Sequence, residues 1–236
     1  MNITDLYSTR IQKNFDDDQA EILSILKANP KKSLKLINYY KELPLSYPAT
    51  IVSIDRGIVD LDVQREQAFA IGASRSAFIR SDLFKHDVFA QAQYVNVLKG
   101  AVSFVKFSYV EIMAERRNFI RMEPHVLPAA TIDSPFGIYN GKLHDISLSG
   151  LNILIQESNL LEIDTAASVS FMLGNMDLGQ NVEINVQAKL LEINGDVLPR
   201  NFKFAITPEK SLERKLSQYI FQRQIEIIRE IKDAFS

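Results

Sequence analysis

The chain contains no cysteine. This excludes disulfides, thiolate catalysis and cysteine-ligated metals. Its three histidines, His86, His125 and His144, are scattered and lack the spacing of a metal site. No apolar run approaches the roughly 20 residues that a membrane-spanning helix requires. The stretch Met1-Asn2-Ile3-Thr4-Asp5 has neither the basic start nor the apolar segment of a signal peptide. There is no Gly-rich phosphate loop, nucleophile elbow or zinc signature, so neither catalytic machinery nor a metal or cofactor is expected. The formal net charge is only −2, so nothing in the overall balance draws the protein to nucleic acid or an anionic membrane. An anion site must come from local clustering. Together these absences predict a cytoplasmic, non-enzymatic protein with no membrane span.

What is present is ordinary for a globular chain. Of 236 residues, 46% are hydrophobic and 24% charged, enough for a sizeable core in one large domain or two small ones. Asp16, Asp17 and Asp18 precede Ile22, Ile25 and Leu26, which predicts an amphipathic helix that Asn29-Pro30 ends. Leu34, Leu36 and Ile37 predict a second short helix before Pro44. From about residue 49 the pattern changes to strands. Thr50–Ile54 and Ile58–Val63 flank Asp55-Arg56-Gly57 as a hairpin. A brief helix is expected over Gln64–Ile71, then strands at Ala77–Ile79, Val88–Leu98 and Val102–Val110.

Beyond a charged stretch at Glu111–Asn118, candidate strands fall at Val126–Ile132, Ile138–Ile146, Leu151–Gln156, Ser168–Leu173, Val182–Ile193 and Asn201–Thr207. Val182, Ile184 and Val186 alternate with polar neighbours, as do Phe202, Phe204 and Ile206, the mark of half-buried antiparallel strands. Asn140-Gly141 and Asn194-Gly195 are turn signals. Six short strands at this spacing predict a small barrel. Leu212, Leu216, Tyr219, Ile220, Ile227 and Ile231 recur at helical spacing, so a long amphipathic helix should follow Pro208.

Two clusters carry chemistry. Arg116-Arg117-Asn118-Phe119-Ile120-Arg121 holds three guanidinium groups, two of them spaced as Arg-x-x-x-Arg. Asp145-Ile146-Ser147-Leu148-Ser149-Gly150 reads Asp-x-Ser-x-x-Gly. The arginine pair alone is uninformative, and the second motif alone reads as a turn in which Gly150 supplies a positive φ. In order, about two dozen residues apart, they mean more. Arginine presents a planar fork of donors that binds phosphate bidentately or pairs with guanine O6 and N7. A carboxylate accepts from the guanine N1–H and N2–H₂ groups, donors that adenine lacks. A serine hydroxyl bonds phosphate or a base edge, and glycine permits close backbone approach. His144 adjoins Asp145, but strand alternation directs it to the opposite face.

The two motifs resemble the signature of the PilZ family, matched at Arg117, Arg121, Asp145, Ser147 and Gly150. The whole chain resembles the YcgR-like, flagellar brake subgroup of that family. The resemblance implies a mainly β protein with helices. Residues 1–110 would form a β-rich, split-barrel-like regulatory domain with two leading helices, and residues 111–236 a PilZ domain. The latter would comprise a junction with the arginine motif (111–121), a six-stranded antiparallel barrel (122–207) and a long C-terminal helix (208–236). By the same resemblance, the matched residues bind cyclic di-GMP. An arginine at the position of Arg116 goes with an intercalated pair of ligand molecules. The implied function is a receptor that changes interdomain orientation and signals to a protein partner. Flagellar motor components at the basal body, or biofilm control, would be its output. A flavin-binding split-barrel protein and a constitutive adaptor with a vestigial nucleotide site are the alternatives.

Overall fold

Apolar residues at every second position dominate the chain, and the fold they build is mostly β. The computed structural model describes residues 7–11, 15–156, 161–175 and 180–235. Met1–Asp5, read above for a signal sequence, lie outside them. The chain divides into two units, Met1–Tyr40 with Pro44–Asn118 and Arg229–Ser236, and Lys41–Leu43 with Phe119–Ile228.

The first unit contains β1 (Ser8–Arg10), α1 (Phe15–Ala28), β2 (Leu34–Tyr40), β3 (Leu43–Asp55), β4 (Ile58–Val63), α2 (Arg65–Ser74), β5 (Ser76–Arg80), β6 (Asp87–Asn96) and β7 (Ala101–Ile112). A single 3₁₀ turn, Met113–Arg116, follows β7. The strands form one sheet in the order β1-β7-β4-β3-β2-β5-β6, and a further β6–β7 pairing brings it back on itself. Val59, Leu61 and Val63 face its core on alternate residues of β4, with Ile22 and Leu26 of α1 fully buried. The hairpin turn falls where expected: Arg56 and Gly57 both adopt positive φ between β3 and β4, as a two-residue turn requires.

The second helix expected around Leu34–Ile37 is instead β2. Three apolar residues within four positions fit both periods over so short a span, and tertiary context decides. Leu36 pairs with Ile79 of β5, while Asn38 is buried, donating to the Ser76 carbonyl at 2.7 Å and accepting from Gln67 at 2.5 Å. That buried amide network exists only if the segment is extended.

The second unit is a closed six-stranded antiparallel barrel. Its strands are β8 (Ala129–Ser134), β9 (Gly137–Ile146), β10 (Gly150–Ile155), β11 (Ala166–Asn175), β12 (Gln180–Asn194) and β13 (Arg200–Ile206), in the order β10-β13-β12-β11-β8-β9. Helix α3 (Lys210–Asp233) follows. Phe202, Phe204 and Ile206 point into the core on alternate residues, as their spacing predicts.

Asn140-Gly141 is not a turn. It sits inside β9, with Asn140 paired to Thr131 and Gly141 to Ala130. A Cβ on Gly141 would lie 2.6 Å from Ile153 Cγ2 and 2.7 Å from the Leu154 carbonyl oxygen. The glycine is there for close packing of β10 over β9 rather than for a left-handed φ. On α3, Leu216 joins the barrel core. About two turns further on, Arg223 is only 3% exposed. It donates from Nε to the Glu123 carbonyl at 2.9 Å and pairs with Glu226 at 2.8 Å, so a guanidinium that burial would penalise is neutralised and bonded. Among the described residues, no helix is long and apolar enough to cross a membrane.

Candidate functional site

The Asp-x-Ser-x-x-Gly motif is the connection between β9 and β10. Ser147 N–H donates to the Gly150 carbonyl at 2.9 Å, and Ser149 N–H approaches Ser147 Oγ at 3.4 Å, so the serine closes the turn on itself. Gly150 does not adopt a positive φ. A Cβ there would stand 3.0 Å from the Phe204 carbonyl, so glycine suits the close approach of β13 rather than a left-handed turn.

At the end of β9 the ladder is irregular. Asn152 pairs with Asp145 but the next residue of β10, Ile153, pairs with Leu143. His144 is therefore the extra residue of a β-bulge, which re-aims side chains that strict alternation would send to opposite faces. The expectation that His144 turns away from Asp145 fails for this reason: His144 Nδ1 is 3.1 Å from Asp145 Oδ2. Asn152 Nδ2 donates to the same oxygen at 2.7 Å.

Asp145 is 5% exposed. Burial pushes its carboxyl up, but the hydrogen bonds from His144 and Asn152, with the charge of Arg121, outweigh burial and hold it below its ordinary value. His144 moves the other way: its bond to Asp145 raises its pKa against the effect of burial, helped by Glu123 and Glu42. Both shifts favour the same state, an imidazolium against a carboxylate.

Arg121 is brought to this turn by a two-way backbone bridge. Met122 N–H donates to the Ile146 carbonyl at 2.8 Å, and Ile146 N–H to that of Met122 at 3.0 Å. Antiparallel register then sets Arg121 opposite Ser147 and Glu123 opposite Asp145. Met122 is fully buried and fixes the bridge in the core. Arg121, Asp145, Ser147 and Gly150 thus come together within the second unit.

Arg116 and Arg117 close the first unit. The 3₁₀ turn that ends at Arg116 is held by Arg80, whose guanidinium grips Asp87 at 2.6–2.8 Å and Glu115 at 2.7–2.9 Å. Arg116, largely exposed, pairs with Glu111. The Arg117 guanidinium lies 5.8 Å from the centre of the Tyr7 ring, within cation–π range.

Residues 115–222, which include both motifs entirely, match the PilZ domain family. This stretch is a PilZ domain. Of the six candidate site residues, all fall inside the PilZ match, whose end lies within α3. Across solved structures, the chain is similar to YcgR from Escherichia coli, crystallised in complex with c-di-GMP. The identity is 18% and the TM-score 0.45, covering 94% of this chain and 100% of that one. It is also similar to the Bacillus subtilis inhibitor of motility MotI/DgrA, at 12% identity and TM-score 0.43, over 84% of this chain and 98% of that one. The MrkH–c-di-GMP complex of K. pneumonia has 14% identity and TM-score 0.43, over 94% and 99%. No curated protein matches the sequence.

Two residues beside the PilZ motif were not singled out as site residues by the sequence, His144 and Asn152. The histidine was visible as a neighbour of Asp145. Nothing in the sequence pointed to Asn152, whose place is set by the register of β10 on β9.

Proposed function

We propose that this protein is a non-enzymatic receptor for cyclic di-GMP, using Arg116, Arg117, Arg121, Asp145, Ser147 and Gly150. The observation that supports this reading best is the Met122–Ile146 bridge, which sets the last arginine of one motif opposite the serine of the other. A donor fork for phosphate or the guanine O6/N7 edge then stands beside a buried, ionised carboxylate suited to guanine N1–H and N2–H₂. Calorimetric titration tests it. Cyclic di-GMP should bind, with GMP, GTP and cyclic di-AMP much weaker. Equal affinity for cyclic di-AMP would remove the guanine argument.

Arg116 sets stoichiometry in this reading. Its guanidinium stacks on a second guanine or binds a second set of phosphates. About two ligands per chain are expected, falling toward one in Arg116→Leu with binding retained. A one-to-one wild-type isotherm would refute the role.

The arginine segment runs across the division between the units, which falls after Asn118. Ligand binding therefore changes the relative placement of the units and alters the affinity for a protein partner, in motility at the flagellar motor or in biofilm control. Small-angle scattering with and without saturating ligand reads the change. Superimposable profiles would leave a binding module without a switch.

A further inference from the structure

Asp145 Oδ2 is bonded twice. His144 reaches it from the bulge at 3.1 Å, and Asn152 reaches it across the β9–β10 pair at 2.7 Å. Two donors on one oxygen fix the carboxylate plane and leave Oδ1 as the oxygen for an incoming donor. Asn152 is an expensive way to do this. It is 8% exposed, and its Oδ1 is buried without a hydrogen-bond partner. An orphaned buried acceptor is destabilising, and a hydrophobic residue would suit a β10 position flanked by the buried Leu151 and Ile153 better. The residue is explained by what its amide nitrogen does for Asp145.

We propose that His144 and Asn152 are positioning residues that set the guanine selectivity of this site by holding Asp145 ionised and in one orientation. The inference rests on the reading of Asp145 as the guanine contact. A freely rotating carboxyl in a buried setting would protonate more readily, and a protonated carboxyl offers a donor to adenine as readily as it accepts from guanine. His144 adds a second effect, because its protonated form contributes positive charge next to a dianionic ligand. The charged groups that face it are Asp145 on its own strand, Glu123 on the bridge segment and Glu42 in the Lys41–Leu43 stretch, with Arg121 acting on Asp145. The three carboxylates favour the protonated ring, whose stronger bond to Asp145 is available below its raised pKa and is lost as the pH rises through it.

The experiment measures affinity for cyclic di-GMP and cyclic di-AMP in wild type, His144→Phe, His144→Gln and Asn152→Leu, at about pH 6 and about pH 8. Thermal melts check that each variant is folded. His144 is partly exposed, so its variants keep the test open if Asn152→Leu fails to fold. Wild-type affinity for the guanine ligand should fall about threefold to tenfold as the pH rises across this interval. His144→Phe and Asn152→Leu should each lose about tenfold of the guanine-over-adenine selectivity. His144→Gln, which keeps a neutral donor, should regain most of that selectivity while its affinity no longer changes with pH. Wild-type selectivity and pH profile in both His144→Phe and Asn152→Leu would overturn the inference and leave the receptor reading standing. Failure of the wild type to bind cyclic di-GMP would overturn both.

Discussion

Arg121→Ala should weaken cyclic di-GMP binding about tenfold to hundredfold, with no comparable loss of fold stability. Each charge-assisted hydrogen bond to phosphate or a base edge contributes roughly 1.5–3 kcal/mol, and each 1.4 kcal/mol is a factor of about ten. Arg117→Ala should cost a similar amount under the proposed reading, in which the Arg-x-x-x-Arg pair grips one ligand. Neither substitution empties a core position. Arg121 and Arg117 are both half-buried, the latter with its guanidinium over the Tyr7 ring; the backbone bridge beside Arg121 is made by Met122 and persists without the guanidinium. If both residues are only surface charges, alanine at either position will leave the isotherm unchanged. Calorimetry on the two variants and their combination separates the cases. A double variant that loses less than the sum of the singles would indicate that both contact the same phosphate or base.

A large stability effect is expected at Gly141. A side chain there meets Ile153 at 2.6 Å and the Leu154 backbone carbonyl at 2.7 Å. A methyl of Ile153 can yield, but a carbonyl held in the β9–β10 ladder cannot without disturbing the strand. Gly141→Val should therefore fall at the upper end of the about 1–3 kcal/mol typical of overpacking. Gly174→Ala provides the comparison, because among the described residues its Cβ would meet Asn181 Oδ1 at an ordinary 3.8 Å. Chemical denaturation of both variants tests the pair. Equal midpoints would mean that the barrel relaxes around position 141 and that the turn chemistry of Asn140-Gly141 is tolerated for another reason.

These sites mark where the sequence was legible and where it was not. The β3–β4 hairpin could be read because Asp55-Arg56-Gly57 supplies the turn conformation within the motif itself. The barrel strands could be read because period two persists over Val182–Val186 and Phe202–Ile206. Short-range pattern failed where a distant strand decided the outcome. Leu34–Ile37 became a strand because Ile79 and Ser76 lay beside it. Gly141 and Gly150 looked like turn residues, yet their reasons lie in β10 and β13. The same limit applies within the candidate site. Asp145 and Ser147 declare themselves by spacing, whereas His144 enters through a single inserted residue and Asn152 through the register it shifts.

The bond from Arg223 to the Glu123 carbonyl spans a hundred residues of chain. It ties the final helix to the backbone just past Arg121, in a barrel that is already closed by its own strands. A protein trimmed after Thr207 would keep every strand and both motifs. It would nevertheless expose Leu216's seat in the core and release the strip of backbone that carries Arg121. The smallest piece able to present this arginine correctly therefore has to extend at least to Arg223, well past Gly150, the last of the candidate site residues.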